Sequence, residues 1–324
     1  MSSTPDLTDP LVRAAVFAGR APSLHNSQPW HWRLRSGVLE LGLEPRRLLR
    51  VTDPAGRLAM LSCGAALHHA LIHLAADGFR AAVIQLPDPA DPYLLARIEI
   101  RGPAAPSHDA ARLVRAASKR HTDRRNDPGP PLDIHQVHTV QQAIRHHDAG
   151  LMTLRLNQMY AVAQAAELAQ DVEAADPEWQ VEIAGWVGGD RPSHTGVPTS
   201  ALPADPHLLT APARALRRAG SVLLDESRGP AATFTVLHTA HDGRRDWLTA
   251  GVALSAGWLT AAHIGVAVLP LSVVTEVAGG RDRIRSLLNW SAYPHLVLRL
   301  ATESDRPPDP ATPRLPNSEI ISIG

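Results

Sequence analysis

One cysteine, one lysine and no surplus of charge of either sign set the first limits on this chain of 324 residues. Cys63 alone makes neither an internal disulfide nor a CxxC metal pair. Lys and Arg together number 32 and Asp and Glu 32. The overall field that gathers nucleic acid or an anionic membrane is therefore absent. No run approaches the roughly 18 consecutive apolar residues of a membrane-crossing helix. The N-terminal stretch lacks the basic-then-apolar order of a secretory signal. These absences predict a cytoplasmic protein with no nucleic-acid or membrane partner. Nucleotide and hydrolase motifs are missing too: there is no GxGxxG after the first strand, no GxxxxGK[ST], no GxSxG elbow and no HExxH. His68, His69 and His73 read as a partly exposed helix face, and no metal site is expected. His146 and His147 read as a helix end that suits the macrodipole. Cys63, Trp179, Trp186, Trp247 and Trp258 read as packing residues.

What is present is a large apolar fraction, 44% of residues, with 20% charged. That is enough to bury a sizeable core. Basic residues are almost all arginine, Lys119 being the only lysine. Periodicity predicts helices over 9–20, 57–76, 109–117, 132–146, 159–173, 178–186, 246–263 and 282–288. Strands are expected over 31–34 and 38–43 around a Ser36-Gly37 turn, then 81–86, 93–100, 151–156, 232–238, 266–270 and 295–300. Residues 188–206 have no period, and so long a loop in a compact protein is either a lid or mobile. The proline-rich stretch from Glu303 to Pro316 reads as an extended arm. Both halves run helix, polar turn, strands, long Ala/Leu helix, Gly, strand. The pattern hints at a duplicated α+β unit, each sheet covered by helices.

Four segments carry side chains that suit chemistry. Ser23, Asn26 and Gln28, between Pro22 and Pro29, put a hydroxyl and two amides on one short turn. Such groups donate and accept, which fits a polar heterocycle, although a helix end satisfying its own backbone reads the same way. Arg120, Thr122 and Arg124 alternate, so an extended segment presents them to one side as an anion clamp; a solvated basic loop is the alternative. Arg314, between Pro313 and Pro316, either completes an anion site or belongs to a surface tail. The strand ending Leu269-Pro270-Leu271-Ser272 either offers backbone N–H groups beside a reducible ring or is an ordinary stopped strand.

Taken together the four segments resemble one family. APSLHNSQPWHW is similar to the APSxxNxQPW signature of FMN-dependent nitroreductases, KRHTDR to their R-x-[ST]-x-[KR] segment, PLS to their second-half flavin-edge strand, and ATPRLP to their P-x-x-R-x-P phosphate arm. In the ordinary family the arginine segment comes first; here it follows. That order resembles the single-chain, dormancy-associated Acg-type branch, in which one chain imitates a dimer. The resemblance implies an α+β nitroreductase-like fold of two fused half-subunits, with mixed or antiparallel sheets. Residues 1–118 would form the first half, 119–302 the second with a lid over 188–206, and 303–324 the arm. It implies one FMN, with NAD(P)H as co-substrate and a small-molecule electron acceptor as partner, in a protein acting as a monomer. Arg120 and Arg314 would grip the phosphate, with Thr122 near the phosphate or ribityl chain. Arg124 would be the cation that favours the reduced flavin; Ser23, Asn26 and Gln28 would contact the ring, and backbone around Leu271 and Ser272 would lie near N5. His25, His121 and Pro270 would also be among the cofactor-binding residues. The chain departs from the family at three places. Ser272 stands for the usual glutamate, Thr312 for a common lysine, and Asn126-Asp127 where a Phe is usual. The implied activity is a nitroreductase-type oxidoreductase; the alternative is a lid-covered FMN store with little turnover.

Overall fold

A computed structural model describes residues 9–124, 130–188, 194–202, 223–224, 232–304 and 312–324. The first helix, α1 (Pro10–Ala18), starts where the sequence signals it. Asp9 caps it by accepting the Leu11 N–H at 2.7 Å, and proline occupies the first turn. β1 (Trp30–Arg35) and β2 (Val38–Leu43) form a hairpin. Its two-residue turn needs positive φ at both positions; Ser36 is at 48° and Gly37 at 76°. Then come α2 (Arg57–Ala76), β3 (Phe79–Gln85), β4 (Leu94–Pro103) and α3 (His108–Lys119). The rest of the chain carries α4 (Ile134–Arg145), β5 (Gly150–Thr153), α5 (Leu156–Ala175), α6 (Pro177–Trp186) and β6 (Ala232–Thr239). It continues with α7 (Arg244–His263), β7 (Val266–Leu271), two short helices at Val273–Glu276 and Ala278–Leu287, and β8 (Tyr293–Thr302). The chain ends with a helical turn at Asn317–Ile320 and β9 (Ile321–Ile323).

The strands make two sheets, ordered β3-β4-β2-β1-β9 and β5-β6-β8-β7. Without β9, the second order is the first repeated in the later half of the chain. Each sheet is built as helix, strand, strand, long helix, strand, strand, with α5 and α6 inserted between β5 and β6 and the two short helices between β7 and β8 in the second; every pairing within those four strands is antiparallel. The long helices α2 and α7 are the matching elements, and they cross with backbones touching. A Cβ on Gly64 would lie 2.1 Å from the Leu248 carbonyl, and one on Gly251 would lie 1.9 Å from the Leu61 carbonyl. Only glycine permits that approach. Gly64 approaches Leu248 as Gly251 approaches Leu61, Gly64 meets Gly251, and His68 bonds Ser255 at 2.8 Å. The last two pairs share one sequence offset, and the same offset exchanges the first two, the mark of local two-fold symmetry.

α2 is apolar all round because it is covered all round. By length and composition it would cross a membrane, but its most apolar window is 83% buried inside the protein. His68 and His69 are buried on it, against the expectation of a partly exposed face. The α7 backbone crosses beside them and leaves no solvent side. Cys63 is buried among apolar neighbours, and burial pushes its thiol well above the ordinary range. The arm ends in a strand that the sequence reading did not foresee: β9 adds parallel to β1, pairing Trp32 with Ile321 and Leu34 with Ile323. One sheet is therefore mixed and the other antiparallel.

Candidate functional site

Between α2 and α7, beyond their crossing, lies a cavity of about 580 Å³. That falls within the roughly 300–1,000 Å³ of small-molecule sites. Its apolar floor comes from both central helices: Leu58, Leu61 and Ser62 from α2, Leu254 and Trp258 from α7. Leu269, Pro270, Ser272 and Val273 close one side, where β7 ends. The polar rim is cationic. Arg20, Arg120, Arg124 and Arg314 all line it with His25 and His121, and among the described lining residues there is no Asp or Glu.

Two of these arginines converge although they are far apart in sequence. Arg120 donates to the Arg20 carbonyl at 3.3 Å and Arg314 to the same oxygen at 3.4 Å. The Arg120 guanidinium stacks 4.8 Å from the centre of the Trp258 ring. Burial pulls its pKa down to about 9, and Arg314 beside it pulls the same way. Arg314 is lowered to about 10 by burial. Arg120 Nε is buried without an acceptor, as are His25 Nε2 and His121 Nε2. These are three unmatched donor or proton-binding positions beside the guanidinium groups of Arg120 and Arg314, on a wall whose described lining holds no acid. Burial, reinforced by Arg124, lowers the His25 pKa to about 4, so that imidazole is neutral at pH 7.

The Ser23–Gln28 turn is held in a costly conformation. His25, Asn26 and Gln28 have φ of 45°, 55° and 50°, a region that side chains with a Cβ seldom enter. Such residues cost about 1–3 kcal/mol each and persist only where their surroundings over-determine them. The surroundings here are visible. Ser23 Oγ accepts the Gln28 N–H at 3.0 Å. The Asn26 amide donates to Gly196 O at 3.0 Å and Pro313 O at 2.9 Å, and its oxygen accepts from Arg314. Gln28 Nε2 donates to His194 O at 2.9 Å, and Gln28 Oε1 accepts the Leu315 N–H at 3.0 Å. The turn thus pins both the C-terminal arm and the described part, 194–202, of the long loop. Val197 reaches the cavity wall, and Arg124 donates to Ala201 O at 3.3 Å.

Of the residues singled out in the sequence, Ser23, His25, Asn26, Arg120, His121, Thr122, Arg124, Pro270, Ser272 and Arg314 come together on this wall. Gln28 and Leu271 are not on it. Gln28 is fully buried with its amide committed to backbone, and Leu271 points into the core beneath β7. Asn26 is on the wall, but three of its polar positions are taken by protein. Residues 189–193 and 203–206 of the expected lid lie outside the described residues, as do Asn126 and Asp127. Sequence reasoning missed Arg20, Ser62 and Trp258 as site residues. Trp258 was read as packing, and it is that; it is also the platform under Arg120. No set of His, Cys, Asp and Glu among the described residues is arranged to hold a metal.

Fold and cavity define a class: an α+β protein of two like sheet-and-helix layers that share one cationic small-molecule cavity at their junction. No protein-family model matches the chain. Full-length relatives do. Rv3131 of Mycobacterium tuberculosis, named as a candidate NAD(P)H nitroreductase, is 36% identical over 319 residues, 94% of this chain and 89% of its own. Acg of the same organism, named likewise, is 34% identical over 334 residues, 100% of this chain and 98% of its own. The chain belongs to this NAD(P)H nitroreductase family. Similar solved structures include B. megaterium NfrA2, at 12% identity and a TM-score of 0.40 over 64% of this chain and 72% of that one. An FMN-bound nitroreductase of Desulfitobacterium hafniense is 11% identical, with a TM-score of 0.36 over 62% and 93%. The family assignment rests on the full-length relatives.

Proposed function

We propose that this protein is an FMN-dependent oxidoreductase that reduces a small-molecule acceptor with NAD(P)H, one chain acting as its own dimer. Residues 1–118 and 119–302 are the two fused halves on this reading, and 303–324 is the arm that completes the site. The observation that carries the proposal is the meeting of Arg120 and Arg314 over one carbonyl, in a cavity whose described lining has no acid. A dianionic phosphate answers that imbalance, and the orphaned Arg120 Nε offers it a further donor.

FMN bound here supplies two-electron transfer from a nicotinamide to an acceptor such as a nitroaromatic or a quinone. The chain's residues do the rest. Arg120, Arg314 and Thr122 hold the anionic tail. Leu58, Leu61, Leu254 and Trp258 exclude water from one side of the cavity. Ser23 offers its hydroxyl proton inward, since its oxygen already accepts from Gln28. Arg124 places a fixed positive charge on the wall, which favours gain of electrons there. Neutral His25 adds no second charge beside it. We place this activity in the cytoplasm, in a monomer. The absorbance spectrum of the purified protein tests the cofactor, and stopped-flow bleaching of its flavin by NADPH or NADH tests the reaction. A colourless protein that takes up no FMN refutes the first; a flavin that neither nicotinamide bleaches refutes the second.

A second reading is favoured by the bonds of 194–202 to Asn26, Gln28 and Arg124. A segment held over the cavity by both sides would sequester FMN rather than let substrates alternate. Replacing residues 194–202 by a short glycine linker would then raise the rate of flavin bleaching. No increase would dismiss storage.

A further inference from the structure

Behind the Pro270–Ser272 wall lies a group of buried acids that the cavity reading leaves unused. Ser272 lines the cavity, and Glu276 sits one helical turn later, at the end of Val273–Glu276. Both Glu276 carboxyl oxygens are cut off from solvent without a well-formed hydrogen bond, and the polar group that approaches them is the Ser272 hydroxyl. Its titratable neighbours come from the approach to α2 and from α5. Asp53 and Arg57, at the start of α2, and Glu173, on α5, all face it. Asp53 is occupied by the Ala59 N–H at 2.8 Å. Arg57 is occupied by the carbonyls of Thr275 at 2.6 Å and His295 at 3.2 Å. Glu173 is buried with Oε1 unpartnered. In so dry a site the Ser272 hydroxyl does not make up for a carboxylate's lost hydration, so burial favours the protonated Glu276 carboxyl. Burial, with the Asp53 charge, pushes Glu276 up to about 7 despite Ser272 and Arg57. Burial, with Glu276, pushes Glu173 up to about 9.

We propose that Glu276 is the proton reservoir of this cavity, a positioning residue that delivers its proton through the Ser272 hydroxyl to the group being reduced against the Pro270–Ser272 wall. The proposal rests on the oxidoreductase reading above. Reduction of a quinone by a reduced nicotinamide moves one hydride and takes up one proton, giving a hydroquinone and an oxidised nicotinamide. The Ser272 O–H bond breaks toward the acceptor oxygen, Ser272 takes the Glu276 proton, and Glu276 is left as carboxylate until, after product leaves, a proton from water in the cavity returns to it through Ser272. A residue with a pKa near working pH suits that task.

The test uses the full chain, unmodified and as Glu276→Gln and Ser272→Ala. Infrared titration should show a protonated-carboxyl C=O band that disappears as pH rises past about 7. Glu276→Gln should lack the band and Ser272→Ala should keep it. With FMN bound and a soluble benzoquinone as acceptor, both variants should lose on the order of 100-fold in kcat and the pH-dependent limb near neutrality. KM should hold. Absence of the band from the unmodified protein, with normal turnover, overturns the relay alone. A band with unchanged kcat and pH profile in Glu276→Gln overturns it as well, leaving Glu276 a buried structural acid. A band with no turnover in the unmodified protein overturns the relay together with the oxidoreductase reading.

Discussion

Gly251→Ala tests whether the two halves meet as described. The added Cβ would sit 1.9 Å from the Leu61 carbonyl oxygen and 2.9 Å from Gly64 Cα. Neither neighbour is the end of a flexible side chain, so no rotamer change relieves the clash. Reaching ordinary van der Waals contact requires α2 and α7 to part by more than about 1 Å. Alanine gains about 1 kcal/mol of helix propensity over glycine. Overpacking a core loses ~1–3 kcal/mol, occasionally more, and a backbone collision lies at the upper end. The expected net loss is about 2 kcal/mol. Gly64→Ala, whose Cβ would lie 2.1 Å from the Leu248 carbonyl, should cost a similar amount. The double variant should cost less than the sum, because the first alanine has already parted the helices. Leu61 and Ser62 on one helix and Leu254 and Trp258 on the other line the cavity, so FMN affinity should fall with stability. Urea unfolding of each variant and fluorescence titration with FMN measure both. A Gly251→Ala protein more stable than its parent by the helix-propensity gain would show that the helices do not touch there.

Arg120→Ala and Arg314→Ala each remove a charged donor from the proposed phosphate site. At roughly 1.5–3 kcal/mol per contact, FMN affinity should fall about 10- to 100-fold in either, measured by equilibrium titration. An unchanged dissociation constant would place that arginine outside the site. Glu173→Gln should change the pH dependence of stability. Folded Glu173 holds its proton to about pH 9 against an ordinary 4.5, so it costs stability progressively as pH rises through that window. The variant's advantage over its parent should therefore grow by up to about 1.4 kcal/mol per pH unit between pH 5 and 8 in urea melts. A constant difference would mean the carboxyl ionises normally. Gln28→Ala strands the Leu315 N–H and the His194 carbonyl, at about 1–3 kcal/mol for a buried group left unmade. Hydrogen exchange at Leu315 should accelerate; unchanged protection would show that the arm is held elsewhere.

Much of the fold is legible in the sequence because the signals are local. The 57–76 helix is readable from its apolar run and the glycine that follows it, and the 38–43 strand from its alternation after Ser36-Gly37. Helix ends shift by a few residues where caps decide them, as with Ser107 before His108–Lys119. β9 was not legible. Three residues carry no period, and they form a strand only because β1 presents an open edge to them. The histidines of α2 were misread for a related reason. A helix face looks half polar until another helix covers it, and the partner of His68 is Ser255, far along the chain.

The amino-acid order by itself determined the element types, the repeated outline, the likeness to the nitroreductases and most of the residues that meet at the cavity. Those follow from period, capping, turn chemistry and short motifs, which act over a few residues. Only the tertiary structure decided that Gln28 ties the arm and the long loop together rather than lining the cavity, and that Trp258 supports Arg120. Only it decided that the Glu276 carboxyl is shielded from solvent beside the Ser272 hydroxyl. Each of these depends on groups brought within a few ångströms by the crossing of two distant helices, and a carboxyl's hydration or a guanidinium's stacking has no representation in a local pattern.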